Sequence, residues 1–281
     1  MKMVATPVEK HAFDGQYRGR ASSLASATNK EDYVRQFVSI KRTPFYLGGA
    51  TNAYRLDTIL NQLFASADSL GRSRSDILIL EAGAGRGELS VYLACLGFRV
   101  IGVEVSAEGC KMGEELASRI GVGENCGFIE ASVEQTGLPD NSVDFIIGAG
   151  TLHHFIKYDG VPAEFFRIMK PGAEGFFHDP FQENPLYRLF HNKAELERLG
   201  DCLLTKDWVV SYFKDFEVNL LPTDWFVMND KFFDRVFKNK ALTSRRMLSK
   251  VFFTLDRKIP ANSRIALFLS GSLTTRIKKR N

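Results

Sequence analysis

Between residues 76 and 178 short apolar runs alternate with amphipathic stretches, and that alternation leaves few folds open. The runs 76–81, 98–104, 127–131, 143–148 and 174–178 have the length and branching of buried strands. Residues 89–96, 107–120 and 162–169 carry helical spacing, and Lys170-Pro171-Gly172 is expected to stop the last of these helices. Strands that alternate with helices need crossover connections, which favours parallel pairing, right-handed crossovers and helices on both faces. The expected fold is therefore α/β, a doubly wound and mostly parallel sheet.

Additional segments flank this core. An arm rich in Gly, Ser and Ala opens the chain, and helices over 29–41 and 52–70 are expected before the sheet. Strands are expected at 216–227 and 265–277, with a basic helical insertion between them that carries Phe232, Phe233, Val236 and Phe237 at helical spacing. The expected division is 1–75 for the arm and first helices, 76–227 for the main domain, 228–264 for the insertion, and 265–281 for the last strand and tail.

Charge is divided as unevenly as structure. The net charge is +4, yet residues 231–281 hold 14 basic and two acidic residues, or +12, and the remainder is −8. Such a segment attracts an anionic partner, or it is a solvated helical face. Hydrophobic residues at 44% and charged residues at 25% match the balance of a folded globular protein, so disorder is not the default reading. Cys95, Cys110, Cys126 and Cys202 form no CxxC pair and have no histidine at ligand spacing, so no metal site is expected and a reducing cytoplasm fits. The first thirty residues, with Lys2, Lys10, Asp14, Arg18 and Arg20, lack the apolar core of a secretory signal. No apolar run approaches the ~20 residues that span a bilayer. A soluble or peripheral protein is expected.

The chemistry starts at Glu81-Ala82-Gly83-Ala84-Gly85-Arg86-Gly87, placed after a strand and before a helix. Glycine tolerates positive φ and lets the backbone approach a ligand closely. Three readings compete: a dinucleotide turn, a structural turn, and a turn for a ligand without phosphates. A dinucleotide turn wants a third glycine where this chain has Glu88, an acid placed where a pyrophosphate needs amide donors. Glu104 ends the second strand 21 residues after Gly83, where a carboxylate can accept both hydroxyls of a ribose.

From these residues the chain resembles the class I S-adenosylmethionine-dependent methyltransferases, and within them the branch of ubiquinone, menaquinone and small-molecule enzymes. The resemblance covers residues 76–179. It rests on the glycine turn, on Val103-Glu104, on Leu138-Pro139-Asp140-Asn141-Ser142-Val143-Asp144, on Leu152-His153-His154-Phe155 and on Met169-Lys170-Pro171-Gly172. It implies S-adenosylmethionine as cofactor, with Glu81, Gly83, Gly85 and Gly87 around the methionine part and Glu104 on the ribose. It also implies Val105 against adenine, Ser132 and Val133 at the adenine edge, and Gly148, Ala149 and Gly150 at the methionine amine. Many relatives carry aspartate where this chain has Ser132, and a serine hydroxyl makes a weaker contact there.

Methyl transfer asks mainly for alignment, since the sulfonium is already activated. A base is needed only where the acceptor loses a proton, and the candidates at the strand ends are His153, His154, His178 and Asp179. Tyr17 and Phe13 in the arm can cover the cofactor or simply pack. The basic insertion can cap the fold, shield a small-molecule or lipid-like acceptor, or contact an anionic membrane; nucleic acid ranks last because no RNA-binding module is visible. The rival readings are a nicotinamide-dependent oxidoreductase and a non-catalytic protein that keeps the cofactor fold.

Overall fold

A computed structural model describes residues 24, 26–39, 50–155, 157–181, 204–223 and 270–280. The arm residues Phe13 and Tyr17, Cys202 and the basic insertion at 228–264 lie outside the described residues.

Seven strands form one sheet in the order β3-β2-β1-β4-β5-β7-β6. They are β1 Leu78–Ala82, β2 Arg99–Glu104, β3 Cys126–Glu130, β4 Val143–Ala149, β5 Met169–Pro180, β6 Phe216–Thr223 and β7 Ser272–Lys279. All neighbouring pairs are parallel except those of β7, which runs antiparallel between β5 and β6. The doubly wound, mostly parallel sheet expected from the alternation is present. The order reverses between β1 and β4, and open α/β sheets bind ligands at the carboxyl ends of such a switch point.

Alternate side chains of each strand enter different cores, as the two-residue period of a strand requires. Ile79, Phe145, Ile147 and Phe176 face α1 (Lys30–Phe37), α2 (Ala50–Ser69), α3 (Glu88–Cys95) and α4 (Ala107–Ile120). Leu80, Ile146 and Phe177 face α6 (Val161–Ile168) and α7 (Lys206–Tyr212). Helix ends follow their capping chemistry. Ser106 accepts the Gly109 N–H at the start of α4, and Gly121, at φ 77°, closes its end.

Several expected boundaries change. The helix of residues 162–169 ends at Ile168, and Lys170-Pro171-Gly172 belongs to β5. Met169 pairs with Val143 and Glu174 with Phe145, so residues 170–173 bulge out opposite Asp144. Gly172 at φ 72° permits the bulge, and Lys170 Nζ reaches both Asp144 oxygens at 2.8 Å to hold it. Two short helices were not expected, α5 (Leu152–Phe155) and α7. One turn shows no periodicity, and the second follows a Thr205 cap that accepts the Trp208 N–H. The last strand starts at Ser272, seven residues beyond the expected start at 265, and 265–269 lie outside the described residues.

The insertion joins β6 to β7, so its anchors lie at the carboxyl edge of the sheet. The Thr223 N–H donates to Ser270 Oγ at 2.9 Å, and that hydroxyl donates in turn to the Thr223 carbonyl. These bonds pin the two ends of the segment together.

Candidate cofactor and acceptor site

The glycine turn leaves β1 with Gly83, Gly85 and Gly87 at φ of 73°, 57° and 72°. The N–H groups of Gly83 and Ala84 donate to the Val103 carbonyl, tying the turn to β2. A side chain at Gly83 would press on Thr151 at 2.9 Å, and one at Gly87 would strike the Phe128 ring at 2.4 Å. Only glycine satisfies both the dihedral and the space at these positions.

Three carboxylates surround this turn. Glu104 is 6% exposed; its Oε2 accepts the Gly85 N–H at 2.8 Å and its Oε1 the Ser106 N–H at 3.1 Å. Each carboxylate oxygen has a second lone pair, so these bonds orient Glu104 and leave it able to accept a hydroxyl. Glu81, also 6% exposed, accepts the Ser90 hydroxyl. Burial pushes its pKa up to about 8; the hydrogen bonds of Ser90 oppose that rise, and the nearby Glu104 and Glu88 add to it. Glu88 opens α3, with Arg86 Nη2 3.7 Å away.

The expected adenine contacts sit along the next strand ends. Val105 is half-buried and Val133 buried beside Val103 in the second core. Ser132 uses its hydroxyl locally, accepting the Glu134 N–H at 3.3 Å. Gly148, Ala149 and Gly150 close β4, and the Gly150 N–H donates to the His178 carbonyl at 2.8 Å. A side chain at Gly148 would meet Thr151 Oγ1 at 2.4 Å.

Of the four candidate catalytic residues, the fold pairs two. His153 Nδ1 lies 2.7 Å from Asp179 Oδ1, and the His153 backbone N–H reaches the same oxygen at 3.2 Å. Asp179 is 1% exposed, and its Oδ2 has no hydrogen-bond partner among the described residues. The His154 ring packs against that of His153, tilted by 41° with ring centroids 3.9 Å apart. His178 is fully buried with Nδ1 2.7 Å from Thr274 Oγ1. Adjacent residues of a strand point to opposite faces, so His178 and Asp179 are parted by the sheet. Thr151 and Thr274, both buried, have no motif to mark them: strand register sets Thr274 beside His178, and packing sets Thr151 against Gly83 and Gly148. Among the described residues no group of three or more His, Cys, Asp and Glu could hold a metal ion.

The sheet order, the glycine turn after β1 and the acid ending β2 define a Rossmann-like class I methyltransferase fold. A family model described as a methyltransferase domain matches residues 80–177. The sterol 4-C-methyltransferase of Caenorhabditis elegans is 24% identical over 37% of this chain and 31% of its own length. The ubiquinone/menaquinone biosynthesis C-methyltransferase of Psychromonas ingrahamii is 25% identical over 44% of this chain and 53% of its own. The chain thus spans about half, or less, of the curated relatives it matches. Geranyl diphosphate C-methyltransferase of Streptomyces coelicolor, solved with S-adenosyl-L-homocysteine, shares the fold at a TM-score of 0.62, 14% identity and 99% coverage of each chain.

Proposed function

We propose that this protein transfers the methyl group of S-adenosylmethionine to a small-molecule or lipid-like acceptor. The observation that carries this reading is the gathering of Glu81, Glu88 and Glu104 around a glycine turn. Glu88 and Glu104 repel a pyrophosphate, which disfavours the nicotinamide reading, and they suit a ligand that bears a sulfonium and an ammonium, while Glu81 keeps its proton below about pH 8 and presents a neutral polar group. The residues present fit that ligand: Glu104 is oriented for a ribose diol, Gly83 and Gly85 leave backbone exposed for the methionine part, and Val105 and Val133 offer an apolar wall for adenine. Ser132 accepts the Glu134 N–H and keeps its own O–H to donate to the adenine edge. When bound, the cofactor supplies a carbon that an acceptor attacks in line as the bond to sulfur breaks and its electron pair stays on sulfur.

The chain's own residues then position the acceptor and remove its proton. Asp179 Oδ1 accepts the Nδ1 proton of His153 and fixes the tautomer whose Nε2 carries the lone pair. Nε2 is the atom that receives a proton as the new bond to carbon forms. His154 packs against the His153 ring at a tilt and limits its rotation. His178, turned to the other face, bonds Thr274 and serves the architecture of β5 and β7.

Among the described residues no helix is long and apolar enough to cross a membrane, and Cys95, Cys110 and Cys126 are free thiols. We propose a reducing, cytoplasmic location on the strength of these free thiols, and a peripheral membrane contact on the strength of the +12 charge of residues 231–281.

The test is calorimetric titration with S-adenosylmethionine, followed by transfer of labelled methyl to compounds in cell extracts. Glu104→Ala is expected to weaken cofactor binding by about 1.5–3 kcal/mol, the range for a hydrogen bond to a charged group. Saturable binding of NAD in place of S-adenosylmethionine overturns the assignment. Cofactor binding without any methyl transfer leaves a non-catalytic protein.

A further inference from the structure

We infer that the amino-terminal edge of the sheet carries a second ligand site, for a phosphate-bearing anion, at the opposite end of the strands from the glycine turn. The inference is independent of the cofactor reading. A cleft of about 410 Å³ opens there between the end of α2, the start of β4, the bulge of β5 and the last residues of β7. Its volume lies within the ~300–1,000 Å³ usual for small-ligand sites.

Charge defines the ligand. Two carboxylates line the cleft, Asp144 and Glu174, with side chains 4% and 9% exposed. Four cations line it with them: Arg72, Lys170, Arg276 and Lys278, each between 35% and 46% exposed. The acids are already saturated. Asp144 accepts from Arg72 at 2.6 Å, from Lys170 at 2.8 Å and from the Leu78 N–H at 2.9 Å. Glu174 accepts from Arg276 at 2.5 Å and from the Ser66 hydroxyl at 2.6 Å.

The cations are not saturated. Arg276 gives Glu174 one N–H of its five. Lys278 Nζ stands 4.0 Å from Glu174, beyond hydrogen-bond reach, and donates to no other described residue. Four positive groups against two negative ones leave an excess of about two charges. The carboxyl end of α2 offsets only about half a charge of it. A phosphate group carries roughly −1.5 to −2 at neutral pH and offers tetrahedral oxygens to several donors at once. A single carboxylate or chloride would neutralise half the excess. The bulge of residues 170–173 keeps backbone out of the sheet ladder and makes room for the anion.

Titration of the full chain with inorganic phosphate, at ionic strength held constant with chloride, reads the site directly. Saturable binding is expected, and Lys278→Gln, which breaks no hydrogen bond of the fold, is expected to raise Kd about tenfold or more while S-adenosylmethionine titrates as before. Vesicles of phosphatidic acid, compared with phosphatidylcholine, separate the two sources of phosphate. Sedimentation with the former that Lys278→Gln abolishes puts the group on a lipid, and titration without sedimentation puts it on a soluble compound. No saturable binding in either format, or equal affinity in wild type and Lys278→Gln, overturns the proposal.

Discussion

Asp179 and Glu81 are both buried acids, yet their partners assign them different work. Asp179 Oδ1 accepts from both the backbone N–H and the ring Nδ1 of His153, so its charge orients the ring. Asp179→Asn keeps the shape and presents an amide in place of an acceptor-only group. We expect methyl transfer to fall by about 10²–10⁴-fold, the usual worth of a positioned base, with cofactor affinity unchanged; single-turnover kinetics on an acceptor found in extracts checks this. An equal rate means that alignment alone suffices. Glu81 is different because burial raises its pKa from 4.5 to about 8. A raised folded-state pKa means that the proton stabilises the fold: the contribution is complete below about pH 4.5 and is lost as pH rises through about 8. Melting temperature should therefore decline over this window. Glu81→Gln, which keeps a neutral group beside Ser90, should remove that decline, and identical profiles of the two proteins count against the burial argument.

The elements around the turn are held from outside the sheet. α1 lies on α3: Phe37 stacks on Tyr92 with centroids 4.0 Å apart, and Tyr33 donates its hydroxyl to the Glu88 carbonyl at 2.9 Å. Burial drives the Tyr33 pKa upward, with Glu88 adding to the shift, so the donor keeps its proton. Glu88 is the first residue after the glycine turn, and α1 thereby supports the residue on which the turn ends. Phe37→Ala should cost about 3–5 kcal/mol, the range for removing a buried aromatic ring. Urea unfolding measures that loss. Hydrogen exchange at the amides of residues 85–90 should rise in the same variant, and exchange confined to α1 would mean that the helix covers the turn without supporting it.

At the scale of the whole molecule, the described ends of the β6–β7 connection, Thr223 and Ser270, lie at the carboxyl edge of the sheet, and the sequence between them is strongly basic. If it meets anionic headgroups, each Lys or Arg near the surface contributes about 1 kcal/mol, and salt weakens the attraction. Co-sedimentation with anionic vesicles should then fall at high ionic strength and in a variant with Lys238, Lys240, Arg245 and Arg246 changed to Gln. Equal, negligible binding to anionic and neutral vesicles leaves a cap over a soluble acceptor. The sequence by itself determined the strands, the parallel sheet, the glycine turn and Glu104, because each is written in a local pattern: a two-residue or 3.6-residue period, or glycines in a strand-to-helix turn. Tertiary structure alone decided that Lys170 and Gly172 bulge from a strand rather than stop a helix, since that depends on Asp144 across the ladder. It decided too that neighbours His178 and Asp179 part to opposite faces while His153, 26 residues away in the chain, joins Asp179. Contacts between distant residues arise from strand register and burial, and no local period in a chain encodes them.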